Sequence, residues 1–465
     1  MIDLLNDNNG NDICLIFENK NKTYKQLNRE ILGNIELFKN REIIIILCNG
    51  SYENVLIYLT ALRKGTIPLL LNEKLPINIV QDYIKRYNPK FLFCPYELNI
   101  GLMKRDFFKN YITYENIIPK SVVENDEISL LLTTSGSTGN PKVVKVSKNN
   151  LISNTNSICK YLNLSKKDRH ITTLPFNYTY GLSCINTFLY SGGSIILNNN
   201  SFIQKAFWED IEKYKPTYLS GVPYNYEILS KYFMHNLANC SIKVFTQAGG
   251  KLSQKYIELF LEFCNLYNKE FIVMYGQTEA TARMSYLPFS ELKNKINSIG
   301  KAIPGGKFSL NGEFKDERFQ NKKVGELVFE GDNVTMGYAY KFADLNKSSK
   351  KKCILNTGDL AWIDEENFVY IVGRMKNYAK INGIRVSIDD VEKICYENEF
   401  TAAAFSNDIY LYIFIEDNNK KSLIELKKII INSIQISPSS IKLKQIKKLP
   451  RLDSGKINYK ALKEF

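Results

Sequence analysis

Thr133 to Lys142 reads TTSGSTGNPK and packs five hydroxyls, two glycines, a proline and a lysine into ten residues. It lies between the apolar runs Ile128-Ser129-Leu130-Leu131-Leu132 and Val143-Val144. Read as strand, turn, strand, it is a hairpin tip whose backbone N–H groups and hydroxyls can wrap a polyanion. Gly136 and Gly139 allow backbone approaches that a Cβ would block. Ser135, Ser137 and Thr138 supply donors, Pro141 stiffens the exit and Lys142 adds a positive charge. The spacing is not that of the Walker loop, and no helix pattern follows at once. Taken alone, such a stretch reads first as a solvated Ser/Gly turn.

Five further segments carry chemistry. Tyr275-Gly276-Gln277-Thr278-Glu279 follows the strand pattern Phe271 to Met274 and sets a carboxylate just beyond a strand end. Thr357-Gly358-Asp359 offers an acid on a tight turn, and Gly373-Arg374 precedes the lysine-rich run Lys376 to Arg385. Leu449 to Tyr459 carries Lys456 near the C-terminus. Leu174 to Ser183 (LPFNYTYGLS) reads as an apolar, aromatic loop. Each has a plain reading: Tyr275 as a core tyrosine, Glu279 as a first-turn residue favoured by the helix dipole, Arg374 as a structural ion pair, Lys456 as a tail lysine. Arg283 reads equally as a sheet-edge ion pair and as a substrate contact. Asp332 and Glu326 read as solvated.

These segments need a scaffold, and the chain supplies a rhythm for one. Ile13 to Phe17 reads as a strand, Tyr24 to Phe38 as an amphipathic helix and Ile43 to Cys48 as a strand. Tyr52 to Arg63 is a helix ended by Lys64-Gly65, and Ile67 to Leu71 is a strand. That βαβ alternation predicts a parallel sheet covered by helices. Ser147 can cap a helix running to Leu162. Ser194 to Leu197 and Tyr218 to Ser220 read as further strands. From about Ser298 glycines and prolines punctuate short apolar runs, which predicts a small antiparallel β unit. The expected domains are 1–374, with a β-rich part at about 298–374, and 376–465, with a hinge near 375–376.

Length and composition set bounds. A chain of 465 residues is too long for one ordinary core. The start, Met1 into Asp3, Asn6, Asp7 and Asn8, lacks a signal pattern, and the longest apolar run is too short to span a bilayer. Nine cysteines without C-x-x-C spacing read as reduced, mostly buried thiols in a cytoplasmic protein. With only His170 and His235, a histidine-based zinc site is not expected. The net charge of +14 comes from lysines spread along the chain, so nucleic-acid binding is not expected; an acidic partner protein remains open.

Taken together and in this order, the motifs resemble the adenylate-forming superfamily of acyl-CoA synthetases, adenylation domains and luciferases. The resemblance runs from about Leu130 to the end. It implies an α/β fold: a large N-terminal domain of αβ-layered sheets plus a small distorted β-barrel, then a small mobile α+β C-terminal domain. It also implies ATP-dependent activation of a carboxylic acid through an acyl-adenylate, followed by transfer to the thiol of coenzyme A or of a phosphopantetheinyl acyl carrier protein. By the same resemblance Thr134 to Lys142, including Ser135, Gly136, Ser137, Thr138 and Gly139, holds the β- and γ-phosphates. Thr278 contacts the α-phosphate, and Glu279 with Thr138 holds Mg²⁺. Tyr275 and Gly276 face adenine, with Gly249 and Gly250 on its other side. Asp359, helped by Arg374, takes the ribose hydroxyls, and Lys456 bridges the substrate carboxylate and the α-phosphate. Lys376 stands at the pivot, and Lys380 and Gly383 line the thiol tunnel that forms when the small domain rotates.

The chain departs from the family in places. Lys148 replaces a common histidine after the loop, and the terminal domain is short. The expected acyl pocket maps to Tyr178, Gly181, Val222, Tyr224 and Thr246. Phe176-Asn177-Tyr178 lacks the aspartate that pairs an α-ammonium in amino-acid-activating members, which favours an uncharged fatty, aryl or hydroxy acid. Two alternatives stand beside this reading. One is amino-acid loading or adenylate transfer to a non-thiol acceptor. The other, a non-catalytic nucleotide-binding protein, predicts loss of Glu279, Asp359 or Lys456, and all three are present.

Overall fold

Ile43–Cys48 is apolar throughout and buried on both faces, as a central strand of a helix-covered parallel sheet must be. It pairs in parallel with Ile67–Asn72 on one side and Phe91–Cys94 on the other. Its alternate residues enter different cores. Ile44 and Ile46 cluster with Leu70, Leu132 and Val144, while Ile43, Ile45 and Leu47 cluster with Leu69, Leu71 and Leu131. The two-residue side-chain period of a strand produces that division.

The computed structural model describes residues 2–5, 10–108, 110–117, 122–134, 142–316, 322–347, 353–375, 378–381, 384–407, 409–416, 423–434, 436–452 and 455–464. The chain packs as two compact units, Met1–Phe308 with Phe329–Leu355, and Ser309–Val328 with Asn356–Phe465.

The first unit holds two large sheets. The eight-stranded sheet runs in the order Tyr338–Ala339, Val143–Ser147, Ile128–Thr133, Ile67–Asn72, Ile43–Cys48, Phe91–Cys94, Tyr111–Glu115, Met103–Phe108. The nine-stranded sheet runs Lys301–Ala302, Ser285–Leu287, Glu270–Tyr275, Val244–Gln247, Tyr218–Gly221, Arg169–Ile171, Ser194–Ile196, Ile13–Phe17, Lys20–Thr23. One cluster joins them: Leu15, Ile195 and Met274 from the second sheet pack with Ile44 and Leu132 from the first, and with Val55, Ile158 and Ile185 on helices. The predicted αβ layering is therefore what forms. Ser147 caps helix Lys148–Tyr161, its hydroxyl accepting from the Asn150 N–H at 3.1 Å while Asn150 Oδ1 accepts from the Ser147 N–H at 2.9 Å. The segment expected as a loop at Leu174 to Ser183 becomes helical at Thr179, and helix Thr179–Tyr190 follows. Its faces are buried nearly all round, so it lacks the polar stripe that would mark a helix in sequence.

A sheet whose residues fall mostly in the second unit runs Gly306–Asp316, Lys322–Gly331, Ile354–Ile363, Val369–Arg374, much of the β unit predicted from the glycine punctuation. A hairpin, Tyr378–Ile381 with Ile384–Ser387, leads into helix Ile388–Glu397. That helix and Leu423–Ile434 pack on a three-stranded sheet of Ala402–Ser406, Leu411–Glu416 and Ile441–Ile446. The boundary expected near 375–376 falls inside this unit. Val369–Arg374 pairs with Ile354–Ile363, and the Arg374 N–H donates to Asp389 Oδ2 at 3.0 Å.

All nine cysteines are free thiols, six of them buried. Among the described residues no helix is long and apolar enough to cross a membrane.

The predicted stop of helix Tyr52–Lys64 rests on Gly65, at φ 85° with its N–H directed to the Ala61 and Leu62 carbonyls. An L-residue in that conformation costs about 1–2 kcal/mol, and an added Cβ would run into Asn40 Oδ1. Gly65→Ala is expected to lower the thermal midpoint by a few degrees. Gly65→Asn, which tolerates the left-handed region better, should lower it less in the same scan.

Candidate active site

The strands that flank the hydroxyl-rich stretch pair with one another. Ile128–Thr133 and Val143–Ser147 pair antiparallel, with Thr133 opposite Val143. Ser135, Gly136, Ser137, Thr138 and Gly139 lie outside the described residues; Thr134 and Lys142 flank them. Lys142 Nζ stands 3.6 Å from the centroid of the Tyr338 ring, a cation–π contact. Tyr338 pairs with Val144 on the adjacent edge strand, and its hydroxyl donates to Glu279 Oε1 at 2.5 Å. Partial burial and the Glu279 charge hold the Tyr338 phenol well above its usual range, so it stays a donor. Tyr338 thus joins the hairpin mouth to the motif carboxylate. Sequence reasoning missed it: Gly337-Tyr338 reads as one more glycine-punctuated strand, and only the cross-strand register reveals its neighbours.

The Glu279 segment is held in an unusual shape. Strand Glu270–Tyr275 ends at Gly276, where a Cβ would run into the Ala282 carbonyl oxygen. A single 3₁₀ turn, Thr278–Ala280, follows, and then Thr281 and Ala282 take φ values of 54° and 102°. Such values are uncommon for residues bearing a Cβ, and for β-branched threonine especially. Asn333 fixes them. Its Nδ2 donates to the Ala280 carbonyl at 2.7 Å and the Arg283 carbonyl at 3.1 Å, while its own carbonyl accepts the Thr281 hydroxyl at 2.7 Å. The Thr335 N–H donates to the Glu279 carbonyl at 2.9 Å. The Thr278 hydroxyl lies 3.1 Å from the hydroxyl of Thr179, the first residue of helix Thr179–Tyr190. Tyr275, at the strand end, accepts from Gln277 Nε2 at 3.1 Å.

Several of the residues expected around the acyl group and adenine gather beside this turn. At Gly249 an added Cβ would lie 2.5 Å from the Tyr178 hydroxyl and 3.1 Å from Val222 Cγ1. Gly250 follows, its carbonyl accepting from Gln247 Nε2 at 2.9 Å. Thr246 is buried, and its Oγ1 lies 2.8 Å from Ser220 Oγ and 2.9 Å from the Tyr180 hydroxyl. Tyr224 is half-buried on helix Pro223–Tyr232. Gly181 packs differently: its bare Cα makes room for the Pro175 and Leu174 carbonyls, which serves close packing of the helix start. His170 is a buried neutral base. Burial, then the Arg283 charge, hold its imidazole down to about 3, and its Nε2 lies 2.9 Å from Ser220 Oγ. Arg283 has no ion pair among the described residues, so the reading as a sheet-edge ion pair does not hold.

In the second unit, Asp359 sits opposite Arg374 and its Oδ1 accepts from Arg374 Nε at 2.9 Å. The aspartate side chain is 4% exposed and the arginine 63%. Glu326, read as solvated, instead supports this turn: Oε2 accepts from Asn356 Nδ2 at 2.9 Å and Oε1 from the Gly358 N–H at 3.2 Å. Lys456 rides on a tight turn. Its carbonyl accepts from the Leu452 N–H at 2.8 Å, and Arg451 Nη1 donates to the Gly455 carbonyl at 3.0 Å. Tyr459, three residues on, donates to Glu392 Oε1 at 2.8 Å, the oxygen that also accepts the Ala404 N–H at 2.7 Å. Lys376 and Gly383 lie outside the described residues. Lys380 belongs to strand Tyr378–Ile381 opposite Arg385.

No group of three or more metal-ligating side chains occurs among the described residues. The half-buried Glu279 carboxylate, one oxygen engaged by Tyr338, is a hard, single-carboxylate donor. That suits Mg²⁺ arriving with phosphate oxygens and waters as its remaining ligands.

Comparison with known proteins finds one family profile, described as AMP-binding enzyme, that matches residues 5–339. A "Probable CoA ligase" of Humulus lupulus is 28% identical over 337 residues, 71% of this chain but only 59% of the relative's length. A D-alanine–D-alanyl carrier protein ligase of Listeria welshimeri is 24% identical over 82% of this chain and 79% of its own. Among solved structures, o-succinylbenzoate CoA synthetase of Bacillus subtilis, in complex with its acyl-adenylate intermediate, superimposes with a TM-score of 0.77 at 19% identity. That match covers 97% of this chain and 95% of the other, and it establishes the shared fold.

Glu392 gives the second unit a pH dependence. Burial raises its carboxyl to about 7, above the ordinary 4.5. The folded unit then holds a proton that the unfolded chain releases, so stability falls as pH rises from about 4.5 to about 7 and levels above. Glu392→Gln keeps an oxygen for Tyr459 and Ala404. It is expected to abolish that slope and to raise stability at about pH 8 by on the order of 1–2 kcal/mol. Urea unfolding of the full chain, followed by Trp362 fluorescence in a Trp208→Phe background, reads it.

Proposed function

The chain belongs to the AMP-binding enzyme family, and on that premise we propose that it is an ATP-dependent acid–thiol ligase. A carboxylate is a poor acyl donor because its leaving group would be oxide. Attack of the carboxylate on the α-phosphate of ATP expels pyrophosphate and gives an acyl-adenylate, from which a thiol displaces AMP. The first step brings an anion against a polyanion, so neutralising charge and aligning the reactants in line are the catalyst's work.

The observation that carries the proposal is the meeting of Lys142, Tyr338 and Glu279 at the mouth of the hairpin. A cation and a carboxylate held on one tyrosine suit a site for phosphate oxygens and their Mg²⁺. The metal, when bound, supplies charge for the departing pyrophosphate. Glu279 would hold it, and Thr278 would donate to the α-phosphate. Tyr275, Gly249 and Gly250 would enclose adenine. Asp359, oriented by Arg374, would accept the ribose hydroxyls. Lys456 would supply positive charge as the acid attacks, and the turn through Arg451 and Gly455 holds its backbone for that task. Rotation about the region of Lys376 would then exchange Lys456 for the Lys380 hairpin and admit the thiol.

For the acceptor we propose coenzyme A or a phosphopantetheinyl carrier. Similarity to a carrier-protein ligase and the net charge of +14 both favour an acidic carrier. Nine free thiols fit a reducing cytoplasm. A pyrophosphate-release screen across fatty, aryl, dicarboxylic and amino acids tests the reading, with product masses compared after adding coenzyme A, carrier or neither. Silence across the panel from folded protein would favour a non-catalytic nucleotide-binding protein.

Lys456→Ala is expected to lower ATP–pyrophosphate exchange by about 10²–10³-fold, with thioester formation from supplied acyl-adenylate nearly unchanged. Exchange retained at the wild-type rate would remove Lys456 from the adenylation step.

A further inference from the structure

Arg283 is a buried cation with no anion to meet it among the described residues. The residue is 3% exposed. Its Nη1 donates to the Tyr161 hydroxyl at 3.1 Å and the Met274 sulfur at 3.4 Å, and its Nη2 to the Cys184 sulfur at 3.3 Å. The guanidinium carbon lies 4.8 Å from the centroid of the Tyr180 ring. Nε is buried without a partner. A guanidinium cannot escape the cost of burial by losing its proton, and a buried charge without a counter-ion is strongly unfavourable. Aromatic neighbours soften the cost, and burial holds the Tyr161 and Tyr180 phenols above their usual range, so they stay neutral. The nearby His170 is neutral as well.

The backbone makes this placement deliberate. Thr281 and Ala282 take positive φ immediately before Arg283. The Arg283 carbonyl is tied by Asn154 Nδ2 at 2.8 Å and by Asn333 at 3.1 Å. Strain of this kind persists where the surroundings over-determine it, and it gathers at ligand sites.

The neighbours of the guanidinium are also those of the expected acyl pocket. Tyr180, whose ring it faces, bonds through its hydroxyl to Thr246. Cys184 Sγ lies 3.4 Å from Ser220 Oγ, which in turn is 2.8 Å from Thr246 Oγ1. Tyr180 and Cys184 stand on helix Thr179–Tyr190, whose first hydroxyl touches Thr278.

We propose that Arg283 anchors a second anionic group on the acid substrate, a carboxylate or sulfonate distinct from the carboxylate that is activated. The inference rests on the acid-activating reading above and narrows it to dianionic acids. Arg283 is then a specificity-determining residue. Its planar fork binds the inert anion by paired N–H···O bonds, while the other end of the acid reaches Thr278. A monoacid of the same length leaves the guanidinium unpaired and binds poorly.

The test uses the full chain, wild type and Arg283→Met, with Arg283→Lys as a variant that keeps the charge. Dicarboxylates and ω-sulfonated acids of graded length are compared with monocarboxylates matched in chain length, first by thermal shift without ATP and then by pyrophosphate release. A dianion that raises the wild-type midpoint, does so less with Arg283→Lys and not at all with Arg283→Met, supports the proposal. So does a preference of about a hundredfold in kcat/KM for diacid over monoacid that collapses in Arg283→Met. Equal shifts in wild type and Arg283→Met, or a wild-type preference for monoacids unchanged by the substitution, overturn it. The thermal shift separates the two levels of the argument. Arg283-dependent dianion binding without pyrophosphate release from any acid refutes acid activation and leaves the anion site standing. Release confined to monoacids does the reverse.

Discussion

The side chain of Asn333 holds a stretch of backbone in a shape it would not otherwise keep. Thr281 and Ala282 at positive φ cost on the order of 1–3 kcal/mol each, and Asn333 answers with three hydrogen bonds to the same turn, two from its side-chain amide and one accepted by its backbone carbonyl. Being 3% exposed, it has no water to compete for those groups. The chain that leaves Asn333 continues the work. Thr335 takes the Glu279 carbonyl, Met336 and Gly337 bond to Lys145, and Tyr338 joins the edge of the eight-stranded sheet. Six residues therefore tie the end of one sheet's strand, at Tyr275, to the hairpin on the other sheet.

The arrangement explains why both sheets are needed. A triphosphate meets positive charge and hydrogen-bond donors to good effect only when they are fixed before it arrives, because reorganising dipoles during the reaction forfeits their advantage. Loops alone are poor at this, and rigid elements carrying short turns are better. Here Lys142 adjoins the paired strands Ile128–Thr133 and Val143–Ser147, and the Thr278 turn hangs from a strand buried on its neighbours Val244–Gln247 and Ser285–Leu287. Gly276 is the permissive position. Its bare Cα lets the Ala282 carbonyl fold back against the strand end, which no side chain would allow.

Much of this could be read from the sequence, and the failures have physical reasons. The strand at Ile43–Cys48, the stop at Gly65 and the Ser147 cap follow from local pattern and side-chain chemistry, so they emerged as expected. The start of helix Thr179–Tyr190 did not, because a helix buried on nearly every side loses the periodicity that reveals it. Tyr338 and Asn333 were invisible for another reason: their importance lies in partners 59 and 53 residues away in sequence, and no local rule encodes such separations. Glu326 was read as solvated because a lone acid near glycines gives no hint of the Gly358 amide it accepts.

The acyl side shows how two weak signals become one argument. The absence of an aspartate at Phe176-Asn177-Tyr178 removes one partner for an ammonium group, which by itself decides little. Arg283 adds a fixed positive charge against the ring of Tyr180, two residues further on, and burial leaves it poorly screened. An α-ammonium entering that space would face repulsion with no carboxylate among the described neighbours to offset it, while an anion would relieve a charge that is otherwise unpaired. Selectivity of this kind works by rejection as much as by attraction. The same cation that disfavours an amino acid gives a reason for the strained turn: Thr281 and Ala282 deliver Arg283 inward on one side of the backbone and leave Thr278 and Glu279 toward the hairpin mouth. On the proposed function, one clamp at Asn333 would thereby serve both the phosphate side and the acyl side of the site.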